Sequence, residues 1–238
     1  MGIRIVLRKK EDLKDKAFVT GFHGIGVTGY IVIRHMIEVI KPQPIGYIET
    51  DALPAFVGMD EDRLSLPFEL FRKDELVFLL PRFQPYRLEQ REFAQEVTKW
   101  VVTNEFRESV MVGGLDNRFK HSNEDIYCAL TKTARTIRDE LDLPVLEKGL
   151  YVTGLLALML AYFEMDDFPA LALLPYAERS RPDPRAAAIA TKKINERYGL
   201  TVDTEQLISD ATLIEQEIQE ILKQQEERVK QEPDGMYL

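Results

Sequence analysis

Apolar positions along this chain fall into two alternating periods. Ala17-Phe18-Val19-Thr20 is a short apolar and β-branched run that stops at Gly21, the pattern of a buried strand. From about Val27 to Ile40, Tyr30, Ile33, Ile37 and Ile40 recur at spacings of three and four and predict a helix that Pro42 and Pro44 close. A strand follows over Ile45 to Glu49. Three further β-like pieces come next: Ala55-Phe56-Val57, the alternating Leu64-Ser65-Leu66, and Glu75 to Leu80, ended by Pro81.

Arg87 to Phe106 has the pattern of a long amphipathic helix, and Ser109 to Val112 that of a short strand ended by Gly113-Gly114. Ser122 or Asn123 can cap a helix running to about Leu141, because Glu124 and Asp125 in its first turn complement the helix dipole. Another helix is expected from Thr153-Gly154 to Phe163. Ala170 to Leu174 then reads as a fully apolar strand ending at Pro175. Asp183 caps and Pro184 opens a helix over Arg185 to Tyr198, stopped by Gly199. The alternation predicts an α/β fold: a layered αβα domain with a central, mostly parallel sheet, an antiparallel insertion around residues 53 to 72, and a C-terminal helix and flexible tail.

The expected domain covers residues 1–200. Residues 201–238 form a second, acidic segment, helical to about Gln231. Leu207, Ala211, Ile214, Ile218 and Ile221 are spaced by four, three, four and three, a short heptad seam. Either this helix docks on its own domain, or Leu207, Ile214, Ile218 and Ile221 pack against a second copy.

Charge separates the two parts further. The chain has 238 residues, 40 acidic against 31 basic, for a formal −9; ten acidic and three basic residues after position 200 account for −7 of it. An acidic chain with a pI near 5.0 lacks the clustered cations of a nucleic-acid binder. The longest apolar run, Leu155 to Phe163, is far short of the ~20 residues of a membrane helix. A single cysteine, Cys128, excludes an intramolecular disulfide and suits a reducing compartment. The expectation is a cytoplasmic protein without targeting segment or lipid anchor.

Gly24-Ile25-Gly26-Val27-Thr28-Gly29 satisfies G-x-G-x-x-G between a strand and a helix, with Glu49 and Asp51 about twenty residues on. One reading is an NAD(P)-binding enzyme whose loop cradles a pyrophosphate through Gly24, Gly26 and Gly29. The other is a close-packed turn, since Phe22 and His23 intervene after the strand. His23, His35 and His121 share no metal-ligand spacing. Along one helix Cys128 lies ~10 Å from His121, out of reach as a nucleophile–base pair, so Cys128 reads as a small buried hydrophobe. Gly113-Gly114-Leu115-Asp116 reads as a tight turn with Asp116 bonded to its own backbone. Neither a G-x-S-x-G elbow nor a P-loop occurs, and no catalytic, cofactor or metal residue is assigned.

After Pro233-Asp234-Gly235 the chain ends on Met236-Tyr237-Leu238 and its carboxylate. A hydrophobic residue, Tyr and a free terminus suit a groove that takes an extended peptide, engages the ring and pairs a cation with the carboxylate; a tail folded back on its own domain is the alternative.

Taken in order, the Gly21-Phe22-His23-Gly24-Ile25-Gly26 turn, the Gly149-Leu150-Tyr151-Val152-Thr153-Gly154 turn, Pro182-Asp183-Pro184-Arg185-Ala186-Ala187 and Tyr198-Gly199-Leu200-Thr201-Val202-Asp203 resemble the proteasome assembly chaperone family in its archaeal form, over about residues 16–230. The resemblance implies a non-enzymatic, cofactor-free chaperone for the 20S proteasome that self-associates. It also implies that Met236, Tyr237 and Leu238 match the hydrophobic-Tyr-X motif that enters pockets between 20S α subunits.

Overall fold

In a computed structural model of the chain, the described residues are 2–60, 62–121, 123–209, 213, 216, 218–220 and 223. Eleven strands and six helices are formed among them. In chain order these are β1 (Arg4–Leu7), β2 (Ala17–Gly21), α1 (Thr28–Ile40), β3 (Gln43–Glu49), β4 (Gly58–Asp60), β5 (Arg63–Ser65), β6 (Phe68–Lys73), β7 (Leu76–Pro81), α2 (Gln90–Thr103), β8 (Glu108–Val112), β9 (Leu115–Asp116), β10 (Ile126–Leu130), α3 (Arg135–Glu140), α4 (Gly154–Met165), β11 (Ala170–Ala177), α5 (Pro184–Tyr198) and α6 (Glu205–Ser209).

Nine strands make one sheet in the order β1-β3-β6-β7-β2-β8-β11-β10, with β9 alongside β11 beyond the end of β8. The centre, β7-β2-β8-β11, is parallel, whereas β6, β3 and β1 on one side and β10 on the other are antiparallel. The central strands are apolar at almost every position because both faces are covered. Ala17 and Val19 point into a core with α1 and α5, and Phe18 into a second core with α2 and α4. This is the expected αβα layering.

Local signals set several boundaries. The Asp183 carboxylate accepts from Arg185 N and Ala186 N, both at 3.1 Å, with Pro184 in the first turn, and Gly199 closes α5 at φ 63°. A side-chain cap of this kind contributes about 1 kcal/mol.

Several elements depart from the sequence pattern. The helix expected from Ser122 or Asn123 to Leu141 is instead β10 followed by the short α3, and Ser122 lies outside the described residues. In β10, Ile126 and Cys128 face one core and Tyr127 the other, so pairing with the apolar β11 overrides the acidic cap signal. Cys128 therefore shares no helix with His121; it is fully buried, and burial pushes its thiol up to about 11.

Pro175 does not end its strand. It faces Ile126 on one side, and on the other falls in the gap between Leu173–Val112 and Tyr176–Leu115, where the ladder needs no N–H from it. Residues 55–57 are loop, the insertion being the β4–β5 hairpin. Arg4–Leu7, too short to signal a strand by periodicity, becomes the β1 edge through pairing with β3.

Of the seam positions, Leu207 and Ile218 are buried in the α1–α5 core. Ile214 and Ile221 lie outside the described residues. The approach to α6 is held by His35 of α1, whose Nε2 bonds the Asp203 carbonyl at 2.6 Å. Among the described residues no helix is long and apolar enough to cross a membrane.

Candidate functional site

The glycine-rich turn lies where β2 passes into α1 at the carboxyl edge of the parallel strands. A Cβ on Gly21 would stand 2.4 Å from Gly29 O, and one on Gly29 would stand 2.4 Å from Val112 O and 2.6 Å from Phe22 N. These glycines let the start of α1 touch β2 and β8 backbone to backbone. Gly26 takes φ 63°, and its carbonyl accepts from Asp183 N at 2.8 Å, tying the turn to the start of α5.

That arrangement removes the geometry of a dinucleotide site. Glu49, one of the two carboxylates about twenty residues on, ends β3, which is three strand positions from β2, ~14 Å at ordinary strand spacing. Its carboxylate is engaged by Arg4 on β1. At Gly26 the turn is closed by Ala177, Thr28 and Asp183, whereas Gly24 stays open toward an adjoining cavity.

Beside the turn lies a cavity of about 600 Å³, at the carboxyl ends of β2, β8 and β11, the position where open α/β sheets present ligand crevices. Val112, Gly113 and Leu174 line it from the sheet, and the Gly149–Thr153 loop and the start of α4 form another wall. Gly113 admits the helix closely, since a Cβ there would lie 2.5 Å from the Leu156 side chain. Positive φ at Gly149 (101°) and Gly154 (71°) shapes the loop into α4.

Of the titratable groups that border this crevice, Asp116 and His23 are held in opposite states. Asp116 is buried and accepts from its own turn at Arg118 N, 3.1 Å, as the sequence suggested. It also accepts from the Arg118 guanidinium through Nε at 3.0 Å and Nη2 at 2.6 Å, with Arg179 at 3.7 Å. Hydrogen bonding from Arg118 dominates and holds the Asp116 carboxyl down at about 2. Such a carboxylate stays ionised and is a poor proton acceptor.

His23 is the opposite case. Burial lowers its pKa to about 3, so the ring is neutral; it stacks on Tyr30 at 4.4 Å, and neither ring nitrogen has a hydrogen-bond partner. Among the described residues no carboxylate or nucleophile bonds that imidazole, so His23 is not oriented as a general base. His35 and His121 lie elsewhere, and among the described residues no three metal-ligating side chains converge.

The sign of a pH effect follows. The unfolded chain protonates His23 below its ordinary 6.5, the folded chain only near 3, so stability falls as pH drops through that window. His23→Phe keeps a ring against Tyr30 and removes two unpartnered buried nitrogens. It is expected to raise the melting temperature at pH 5 and flatten its pH dependence between 6.5 and 3, checked by thermal unfolding across pH. Parallel pH profiles for parent and variant would contradict a buried neutral imidazole.

The tripeptide Met236-Tyr237-Leu238 lies outside the described residues. Sequence reasoning missed the Asp116–Arg118–Arg179 cluster, because Arg179 joins from β11's far end, 63 positions along.

The class is that of a three-layer α/β domain with a crevice at the carboxyl edge of its parallel strands. The PAC2 family model matches residues 18–222, and the chain belongs to that family. Its fold is similar to Pyrococcus furiosus PbaA, described as an archaeal homolog of proteasome-assembly chaperone, with TM-score 0.84, 23% identity, and 95% of this chain and 99% of that one covered. It is also similar to Pyrococcus furiosus PbaB, described as an archaeal proteasome activator, with TM-score 0.74, 19% identity, and 92% and 98% covered. By sequence it is similar to the Methanocaldococcus jannaschii protein MJ0106, 21% identical over 226 residues, 94% of this chain and 92% of that one.

Proposed function

We propose that this protein is a non-enzymatic proteasome-assembly chaperone or adaptor that self-associates in the cytoplasm and binds 20S proteasome α subunits through Met236, Tyr237 and Leu238. The observation that carries the reading is PAC2 membership across residues 18–222, beside a Met236-Tyr237-Leu238 sequence of the hydrophobic-Tyr-X pattern. Support for a non-catalytic role comes from the crevice, where Asp116 is neutralised by arginines and His23 is kept uncharged.

Mechanistically, each tail would offer an aromatic anchor and a carboxylate to a pocket with a cation. Single tripeptide contacts are weak. Joined copies raise the effective concentration of the next tail and strengthen the whole by ~10²–10⁴ without a new contact. Weak individual pockets also let the chaperone leave when assembly is complete.

Native mass spectrometry of the full-length chain mixed with 20S α subunits tests this directly. Complexes containing both proteins are the expected result; their absence at micromolar concentration, with both partners folded, would sink the reading.

A further inference from the structure

The crevice at the carboxyl ends of β2, β8 and β11 has the volume of a small-molecule pocket, about 600 Å³, and binding α subunits through a tail gives it no task. Phe22, Val112, Leu115, Leu156 and Leu174, all buried, supply an apolar lining. Tyr151 and Phe119 line it too, yet these rings are 81 and 51% exposed. Large rings left in water beside an apolar cavity are surface that an apolar ligand would cover.

Charge selects the polar end of that ligand. Among the lining side chains the formally charged ones are Asp116 and Arg179. Asp116 is already matched: Arg118 donates to both of its oxygens, from Nε at 3.0 and 3.1 Å and from Nη2 at 2.6 Å. This bidentate pair occupies the carboxylate and keeps it ionised. Arg179 comes third. Its guanidinium stands 3.7 Å from Asp116, beyond hydrogen-bond reach, and its side chain is 65% exposed. The five donors of that fork are left for a partner that Asp116 does not supply.

The nearby backbone has the same sign. Thr153 and Gly154 open α4 on the cavity, no acidic side chain stands in the first turn, and the Thr153 side chain makes no capping bond to it. The helix therefore turns its positive end toward the crevice. His23, being neutral, adds no charge of its own. An ammonium would face Arg179 itself, and a phosphate, at about −2, would set its second charge beside Asp116. A carboxylate accepts both prongs of a guanidinium and leaves no charge over.

We infer that the crevice binds a small apolar carboxylate, an aromatic acid whose ring occupies the apolar lining and covers Tyr151 while Arg179 holds its carboxylate. The inference does not depend on the proposed function, and either can fail without the other.

Isothermal titration calorimetry of the full-length chain with 1-naphthylacetate, beside its neutral counterpart 1-naphthylacetamide, tests it. The acid is expected to bind with a dissociation constant below about 1 mM, within reach of a ligand of this size. The amide is expected to bind at least about 10-fold more weakly, the scale of a charge-assisted hydrogen bond. Arg179→Gln is expected to bring the acid down to the amide's affinity and leave the amide unchanged. Arg185→Gln, at an exposed arginine outside the lining, is expected to change neither. Tyr151→Ala weakens acid and amide alike. Thermal unfolding of each variant checks its fold, and the comparison of acid with amide on the parent decides without any variant. No binding of the acid by the folded parent overturns the inference, as do equal affinities for acid and amide or an Arg179→Gln chain that binds the acid as the parent does. An acid that binds only after residues 236–238 are removed would assign the crevice to the chain's own end and reject the small-molecule site.

Discussion

A chain ending at Gly235 is expected to keep its melting temperature within about 1 °C and to lose at least 100-fold in affinity for 20S α subunits. Two arguments set these magnitudes. Among the described residues the two apolar cores run no further than Ile218, and the truncation removes residues 236–238, beyond that point in sequence. Binding, by contrast, would lose the tyrosine ring and move the carboxylate three residues back, from every tail at once. Because linked tails multiply their contributions, the loss in avidity exceeds the loss from one pocket. Tyr237→Ala removes the anchor alone and is expected to cost about 2 kcal/mol or more per tail, the scale of an aromatic hot spot. Surface plasmon resonance on immobilised α subunits, with thermal unfolding in parallel, measures both quantities. Undiminished affinity in the truncated chain would remove the tail from the mechanism while leaving the family and fold intact.

Gly29→Val is expected to be the most damaging single substitution in the α/β domain. A Cβ at position 29 meets two backbone atoms at 2.4 and 2.6 Å, Val112 O and Phe22 N, and neither moves without displacing a central strand. Relief requires α1 to lift from β2 and β8, opening a core that holds Tyr30, Ile31 and Ile33. Overpacking against backbone in this way costs about 4 kcal/mol or more, which lowers the melting temperature of a domain this size by roughly 10 °C. Gly24→Ala is the matched control. A Cβ there has nothing within 4 Å, and φ is −109°, so a change of no more than about 1 kcal/mol is expected. Urea denaturation of the two variants beside the parent separates steric exclusion from a general intolerance of the turn; comparable losses at both positions would show that the close approach at Gly29 is not the cause.

Both predictions draw on features read at different levels. The layering was legible in the sequence because its period is local: β2, α1, β8 and α5 lie within a few residues of where periodicity, Asp183, Pro184 and Gly199 put them. β10 was not. Its five residues carry an apolar run that suits helix or strand, and Glu124 and Asp125 favoured helix. Pairing with β11 decided otherwise, a contact to residues about forty-five positions away. β1 and β9 likewise exist only because a neighbouring strand completes their hydrogen bonds. The glycine turn shows the same division. Its sequence satisfied a nucleotide fingerprint, and only the sheet order, placing Glu49 three strands away, emptied the fingerprint of its geometry.

By itself, then, the sequence determined the α/β class, the caps of α5, the acidic C-terminal segment, the Met-Tyr-Leu terminus and the resemblance to proteasome assembly chaperones. Each rests on residue types at short spacing. The tertiary structure alone decided which strands pair, that Gly21 and Gly29 serve contact rather than ligand, that His23 is buried without a partner, and that Arg179 joins Asp116. The physical reason is common to all of these: burial, charge neutralisation and exposure are set by groups far apart in the chain, and no local pattern records which of them will meet.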